Sequence, residues 1–201
     1  MDTIISRKEG LRERKRRETR KRLAEIGLRF FVENGYEATT LEAIAIEAGI
    51  SPRTFFYYFK TKDELLQFWH RRGFLDALGP AMLRESREQR PLTAIRNCLL
   101  KLAPRYETEN SVIVDRILNS TESLRPGKHA IFTALEETLV AALSEMWPEP
   151  NKLPSHRIAA MIAAGAVRLA MEARRQDNRN RSLAAHVKKA FVRIDEQIAG
   201  S

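Results

Sequence analysis

The chain has 201 residues and a formal net charge of +9; 43% of its residues are hydrophobic, 7% are aromatic, and glycine and proline number 9 and 8. That length allows a sizeable core and fits one small domain plus a medium one, and the sparse turn residues argue against a many-turned β-sandwich. The positive balance attracts polyanions, nucleic acid or anionic lipid, without choosing between them, and a single cysteine, Cys98, excludes an internal disulfide framework and suits a reducing cytosol.

Strand signals are weak everywhere, and apolar residues recur at steps of three and four, the spacing of amphipathic helices. The opening MDTIISRKEGLRERKRR holds no apolar core for a signal peptide. The longest uncharged stretch, near Ile158–Val167, falls well short of the ~20 apolar residues of a membrane span. A cytoplasmic protein with no membrane association is expected.

The first helix is predicted from about Glu9 to Asn34, with Leu23, Ile26, Gly27, Phe30 and Phe31 as its apolar stripe and Gly35 as its stop. Ten Lys/Arg lie between Arg7 and Arg22, against Glu9, Glu13 and Glu18. Two readings of that run stay open: a solvated helix face, or a basic extension along phosphates or into the minor groove. A second helix starts at Thr39 or Thr40, where Thr39-x-x-Glu42 fits a capping box, and ends near Gly49. Ser51 and Pro52 then open a third, as N-cap and first residue. Thr61, followed three residues later by Glu64, caps a fourth helix that carries Leu65, Leu66, Phe68, Trp69, Phe74 and Leu75 and is expected to break at Gly79–Pro80. Further helices are predicted at about 92–106, 110–122, 128–147, 155–176 and 180–199.

The stretch TLEAIAIEAGISPRTFFYYFKTK, Thr40 to Lys62, has the requirements of a helix-turn-helix. Ala45 is small where two helices cross, and Gly49 supplies a left-handed turn residue. Ile44, Ile50, Phe55 and Phe59 are spaced to face a core shared with the first helix. The helix opening at Ser51 then shows Arg53, Thr54, Tyr57 and Tyr58 outward. A short capped helix, polar on one side, suits a major groove with its first residues at base edges. Arg53 is placed to give two hydrogen bonds to a guanine, Thr54 to touch a base edge or a thymine methyl, and Tyr57 and Tyr58 to reach phosphates. Lys62 is expected to pair with a phosphate, helped by the positive end of its helix. The candidate DNA-contacting set is Thr40, Ser51, Pro52, Arg53, Thr54, Phe56, Tyr57, Tyr58 and Lys62.

Gly35-Tyr36, Thr39-Thr40, Ile44-Ala45, Ala48-Gly49-Ile50-Ser51, Tyr58-Phe59 and Lys60-x-Lys62-x-x-Leu65 together resemble the TetR family of bacterial regulators, tightly over residues 20–66. One departure is Phe56, where the family usually has a phosphate-binding tyrosine; Tyr57 or Tyr58 is expected to compensate. Arg53 stands where the family often has glycine and looks like a base-reading replacement. The resemblance implies an all-α fold of about nine helices: a three-helix DNA-binding domain at residues 9–60, and a larger helical effector-binding and dimerisation domain at 61–201. It implies a homodimer through the last two helices, with small residues Ala159, Ala160, Ala163, Ala164, Gly165, Ala166 and Ala170 on one, and Leu183, Val187, Phe191, Ile194 and Ile198 on the other. Packing within one subunit is the alternative for those residues. Arg168, Arg174, Arg175 and Arg179 would rim the dimer interface.

The implied function is ligand-responsive repression at a palindromic operator, relieved by a small hydrophobic effector, with the fourth helix as the lever between sites. Candidate effector-pocket residues are Phe68, Phe74, Met82, Leu99, Tyr106, Ile113, Ile117, Phe132 and Leu135, and no buried charge pair is expected to mark a functional group of the ligand. The competing readings are a sequence-blind basic nucleic-acid binder and an enzyme. The enzyme finds no support in a glycine-rich phosphate loop, a nucleophile elbow or a metal-ligand cluster. His70, His129, His156 and His186 show no metal-ligand spacing, so no cofactor or metal is expected.

Overall fold

The computed structural model describes residues 10–70, 74–177 and 181–199, and the backbone alone of 70, 125–128 and 198–199. Arg7, Lys8, Glu9 and Arg179, and the Ile198 side chain, lie outside it. The described residues form ten α-helices and no strand. They divide into two compact units, Met1–Phe68 and Trp69–Ser201.

In the first unit, α1 is Leu11–Asn34, α2 Leu41–Glu47, α3 Pro52–Tyr58, and α4 begins at Lys62 and ends at His70. No side chain of α1 before Leu23 is buried; from there Leu23, Ala24, Gly27, Leu28 and Phe31 turn inward. The buried face is rotated from the predicted stripe, and Ile26 and Phe30 are only half-buried. Gly35, with φ of 83°, ends the helix.

The expected capping box at Thr39 does not form. Thr40 is the N-cap of α2, its hydroxyl oxygen accepting the Ala43 N–H at 3.1 Å. Thr39 is buried and donates to the carbonyls of Gly35 at 2.8 Å and Phe30 at 3.1 Å. The end of α1 needs a donor for its open carbonyls, and Thr39 is the hydroxyl within reach.

In the second unit, α5 is Asp76–Met82, α6 Pro91–Tyr106, α7 Glu109–Ser120, α8 Arg125–Met146, α9 Leu153–Arg175 and α10 Leu183–Ala199. The core joins Leu78 and Met82 of α5, Ile95, Leu99 and Leu102 of α6, Leu135, Leu139 and Leu143 of α8, the alanines of α9, and Val187 and Phe191 of α10. Cys98 is buried among them, and burial pushes its thiol up to about 12, so it stays protonated at neutral pH.

One sequence expectation is overturned and one open alternative is decided. The Gly79–Pro80 pair does not stop a helix; α5 runs through it to Met82. Proline in a helix interior costs ~3 kcal/mol, but Leu78 and Met82, one turn apart, are both fully buried, worth roughly 3–6 kcal/mol together. Second, Ala160, Ala163, Ala164, Ala166, Ala170, Val187 and Phe191 are buried within the subunit. The faces of α9 and α10 that carry them pack on each other and on α6 and α8.

Gly27 is required by packing. A Cβ there would lie 2.5 and 2.7 Å from the Leu65 methyl carbons, and Leu65, fully buried, has little room to yield. Gly27→Val is therefore expected to destabilise the chain by about 2 kcal/mol, overpacking outweighing the gain in helix propensity. Urea unfolding of the full chain measures this, and an unchanged midpoint would refute the close contact.

Candidate functional site

The turn from α2 into α3 is built from local rules. Gly49 takes φ of 68°. The Gly49 N–H donates to Ile46 O at 3.0 Å and the Ile50 N–H to Ala45 O at 3.1 Å, closing the end of α2. Ser51 then caps α3, its hydroxyl oxygen accepting the Thr54 N–H at 3.2 Å, and Pro52 fills the first helical position.

Inside, Phe55 and Phe59 are fully buried, their rings 6.0 Å apart. Phe68 packs edge-on against Phe59 at 5.9 Å, and the Arg20 guanidinium lies over Phe59 at 5.0 Å. Outside, Ser51, Pro52, Arg53, Thr54 and Tyr57 are exposed, as is Thr40 at the start of α2. Phe56 and Tyr58 are half-buried. The Thr54 and Ser51 hydroxyl oxygens are 2.9 Å apart, which fixes the Thr54 rotamer with its methyl free of that bond.

The basic part of α1 reaches this face. The Arg16 guanidinium lies 5.4 Å from the Tyr57 ring centroid, which places it beside the exposed side of α3. Residues 11–18 of α1 are all exposed, Arg12, Arg14, Lys15, Arg16 and Arg17 among them.

Lys62 is not free at the surface. It is half-buried, its Nζ donates to Tyr36 O at 2.7 Å and Glu37 O at 3.1 Å, and it sits 4.5 Å from the Tyr36 ring centroid. The Tyr36 hydroxyl donates to the Asp63 carboxylate; burial first, and that bond second, hold its phenol well above the ordinary tyrosine value. Thr61 caps α4, accepting the Glu64 N–H at 3.1 Å, while the Glu64 carboxylate accepts the Lys60 N–H at 2.7 Å.

The second unit holds a cavity of about 300 Å³. Its walls are mostly apolar, with Trp69, Phe74, Leu75, Ala103, Tyr106, Ile131, Phe132, Leu135, Val167, Met171 and Leu183, and one polar part is made by Glu107, Thr108, Ser111, Asp115 and Arg174. Of the residues proposed from sequence, Phe74, Tyr106, Phe132 and Leu135 line it. Met82 and Leu99 are in the packed core, Ile113 and Ile117 are half-buried on α7 outside the lining, and Phe68 belongs to the first unit. The expectation of no charge pair is overturned: Arg174 Nε is 2.6 Å from Glu107 Oε1, and Arg175 Nη1 is 3.0 Å from Asp115 Oδ1. Among the described residues, no three His, Cys, Asp or Glu side chains group to hold a metal ion, and no helix is long and apolar enough to cross a membrane.

The family model for bacterial regulatory proteins of the tetR family matches residues 25–67. That segment contains the capped α2–α3 turn, the buried Phe55–Phe59 pair and the start of α4. Residues 25–67 belong to the TetR family.

The HTH-type transcriptional regulator TcmR of Streptomyces glaucescens is 48% identical to the chain over 56 residues, which are 28% of this chain and 25% of TcmR. YerO of Bacillus subtilis (strain 168), another HTH-type transcriptional regulator, is 41% identical over 49 residues, 24% of this chain and 17% of YerO. The match thus spans a quarter or less of those relatives' length. Solved structures are similar in fold over most of the chain. SmeT in complex with triclosan has a TM-score of 0.61 at 20% identity, covering 87% of this chain and 90% of SmeT. FadR of Thermus thermophilus, a TetR-family repressor in complex with lauroyl-CoA, has 0.56 at 22%, covering 86% and 91%. At that identity the likeness is one of fold.

Within the first unit, sequence reasoning missed three features: Thr39 as a donor to α1, Arg20 stacked on Phe59, and Lys62 holding the α1–α2 turn. Only Thr39 left a signal, since two adjacent threonines cannot both cap one helix. Lys62→Ala should lower stability by about 1–2 kcal/mol by stranding two carbonyls and losing the ring contact. Denaturant unfolding reads this without DNA; wild-type stability would return Lys62 to a purely surface role.

Proposed function

We propose that this chain is a dimeric transcriptional repressor that reads a palindromic operator through α3 and is released by a small hydrophobic effector. The carrying observation is the two-sidedness of α3: Phe55 and Phe59 are fully buried, while Ser51, Pro52, Arg53, Thr54 and Tyr57 face solvent. A helix so anchored presents a fixed polar edge, and Arg53 near its start is the side chain suited to bidentate contact with guanine O6 and N7. Thr40, exposed at the N-cap of α2, and the half-buried Tyr58 are suited to phosphates beside the groove; Phe56 has no polar atom to offer. Lys62 has two of its three donors committed to carbonyls, so one N–H remains for a phosphate.

The basic half of α1 supports the extension reading of that segment. Arg16 stacks on Tyr57, so the cations of α1 and the reading edge of α3 share a surface. Phosphate contacts there would add affinity to any duplex and steepen its salt dependence.

The dimer reading has support on the outward face of α9. Ile158, Met161 and Leu169 are exposed large apolar residues, at 58%, 60% and 58%. They sit at helical spacing around Gly165, where an added Cβ would meet nothing, and Val192 of α10 is exposed as well. An exposed apolar stripe with a central glycine suits close approach of a second copy across a two-fold axis. Two α3 helices would then read major grooves ~34 Å, or a multiple of it, apart. An effector acts only by binding the DNA-incompetent state more tightly.

Selection of bound fragments from the source genome, followed by shift assays on the selected and a scrambled duplex, tests the reading. Arg53→Ala should cost about 1–3 kcal/mol at one base pair and relax preference there. Arg12→Gln with Arg16→Gln should weaken both duplexes alike and flatten the salt slope by about one per lost phosphate contact. Equal affinity of the wild-type chain for both duplexes would leave the sequence-blind basic binder in its place. Leu169→Glu should shift the chain from dimer to monomer in sedimentation at micromolar concentration; an unchanged dimer refutes the α9 interface.

A further inference from the structure

The polar part of the cavity is unevenly satisfied. Glu107, the residue that ends α6, accepts the Leu183 N–H at the start of α10 with Oε1 at 3.0 Å and Oε2 at 2.9 Å, and Arg174 of α9 approaches Oε1. Asp115 accepts Arg175 Nη1 with both oxygens, at 3.0 and 3.1 Å, and Asn119 Nδ2 at 3.0 Å. The Ser111 hydroxyl donates to Thr108 O and accepts the Thr108 N–H. Each of these acceptors therefore has a partner. Arg174 Nε is less well satisfied: it is buried and ion-paired with Glu107 at 2.6 Å, but the contact lacks the alignment of a hydrogen bond.

A wall whose carboxylates are already paired and whose guanidinium keeps one unaligned N–H favours a ligand that accepts. A cationic head would have to displace Arg174 or Arg175 from carboxylates already paired. An alcohol would gain neutral hydrogen bonds, whereas an oxyanion gains charge-assisted ones from a guanidinium. The rest of the lining, with Phe74, Phe132, Leu135 and Met171 among it, suits an apolar body.

We infer that the ligand of this cavity is an amphiphile with an apolar body and one oxyanion head, and that the head competes with Glu107 for Arg174. The inference rests on reading the cavity as the effector site. Glu107 holds the end of α6 to both α9 and α10, so a head taken up by Arg174 leaves Glu107 only the Leu183 amide. Ligand binding is thereby felt at α9 and α10, the helices that carry the exposed apolar stripe.

Calorimetry on the full chain without DNA, with 2-naphthoate, 2-naphthylmethanol and 2-naphthylmethylammonium, separates head from body. The naphthoate should bind one per chain and about tenfold or more tighter than the alcohol, with the ammonium weakest. Arg174→Gln should lose about tenfold or more for the naphthoate and leave the alcohol nearly unchanged. Glu107→Gln, which removes the competitor's charge, should tighten the naphthoate; it carries the test if the arginine variant does not fold. Alcohol or ammonium binding as tight as the naphthoate overturns the oxyanion head and leaves the cavity reading standing. No binding by any of the three overturns both, while operator recognition is decided separately by the shift assay.

Discussion

The rest of the N-terminal unit depends on the burial of Phe55 and Phe59. A seven-residue helix has no stability of its own, because nucleation consumes most of what its few hydrogen bonds return. What gives α3 a fixed direction is that both rings are fully removed from water, each worth roughly 1.5–3 kcal/mol, against a surface made by α1, α2 and α4. Gly49 and Ser51 set where the helix begins; the two rings set which way it faces. Arg53 and Tyr57 project outward because Phe55, two positions from each on the same short helix, is committed inward.

The same economy governs the charges nearby. Arg16 and Arg20 belong to one basic helix but do different things. Arg20 lies over Phe59 and Phe68, at 5.0 and 5.8 Å, and covers the aromatic cluster with a weakly hydrated guanidinium. Arg16 lies over the exposed Tyr57 ring and keeps its charge at the surface. Lys62 uses its compact ammonium inward, on carbonyls that the α1–α2 turn leaves open. A net charge of +9 therefore overstates what is free for phosphates, and the position of each cation on its helix decides its share.

How much of this was legible in the sequence follows from how local each signal is. Gly49, the Ser51 cap, Pro52 at the first turn and the Phe55–Phe59 spacing are decided within ten residues, and the chain states them directly. The positions of α6 to α10 were legible for the same reason. Thr39 and Thr40 were not separable, because the choice depends on where the carbonyls of α1 end. Pro80 looked like a stop, because burial of its neighbours Leu78 and Met82 is tertiary information. On α9 both faces are apolar, so periodicity could not say which is inside. The packed face took the alanines and left Ile158, Met161 and Leu169 outside, since small side chains let α8, α9 and α10 approach closely. Arg174 is 67 positions from Glu107, and no spacing rule reaches that far.

That distance also shows why charge belongs in the cavity at all. Burying an ion pair seldom adds stability over an apolar pair of the same size, so the Glu107–Arg174 contact is poorly explained as a staple. Its carboxylate does hold the first amide of α10, a group that would otherwise lack an acceptor. A cap of that kind needs only an oxygen, and Asn or Ser would serve. A full negative charge set against an arginine whose Nε has no aligned acceptor makes a joint whose partner can be exchanged. An anion reaching Arg174 removes what neutralises Glu107, and the cost falls on the joint among α6, α9 and α10. A purely apolar wall could bind a ligand of the same shape just as firmly, but it would have no comparable contact to give up.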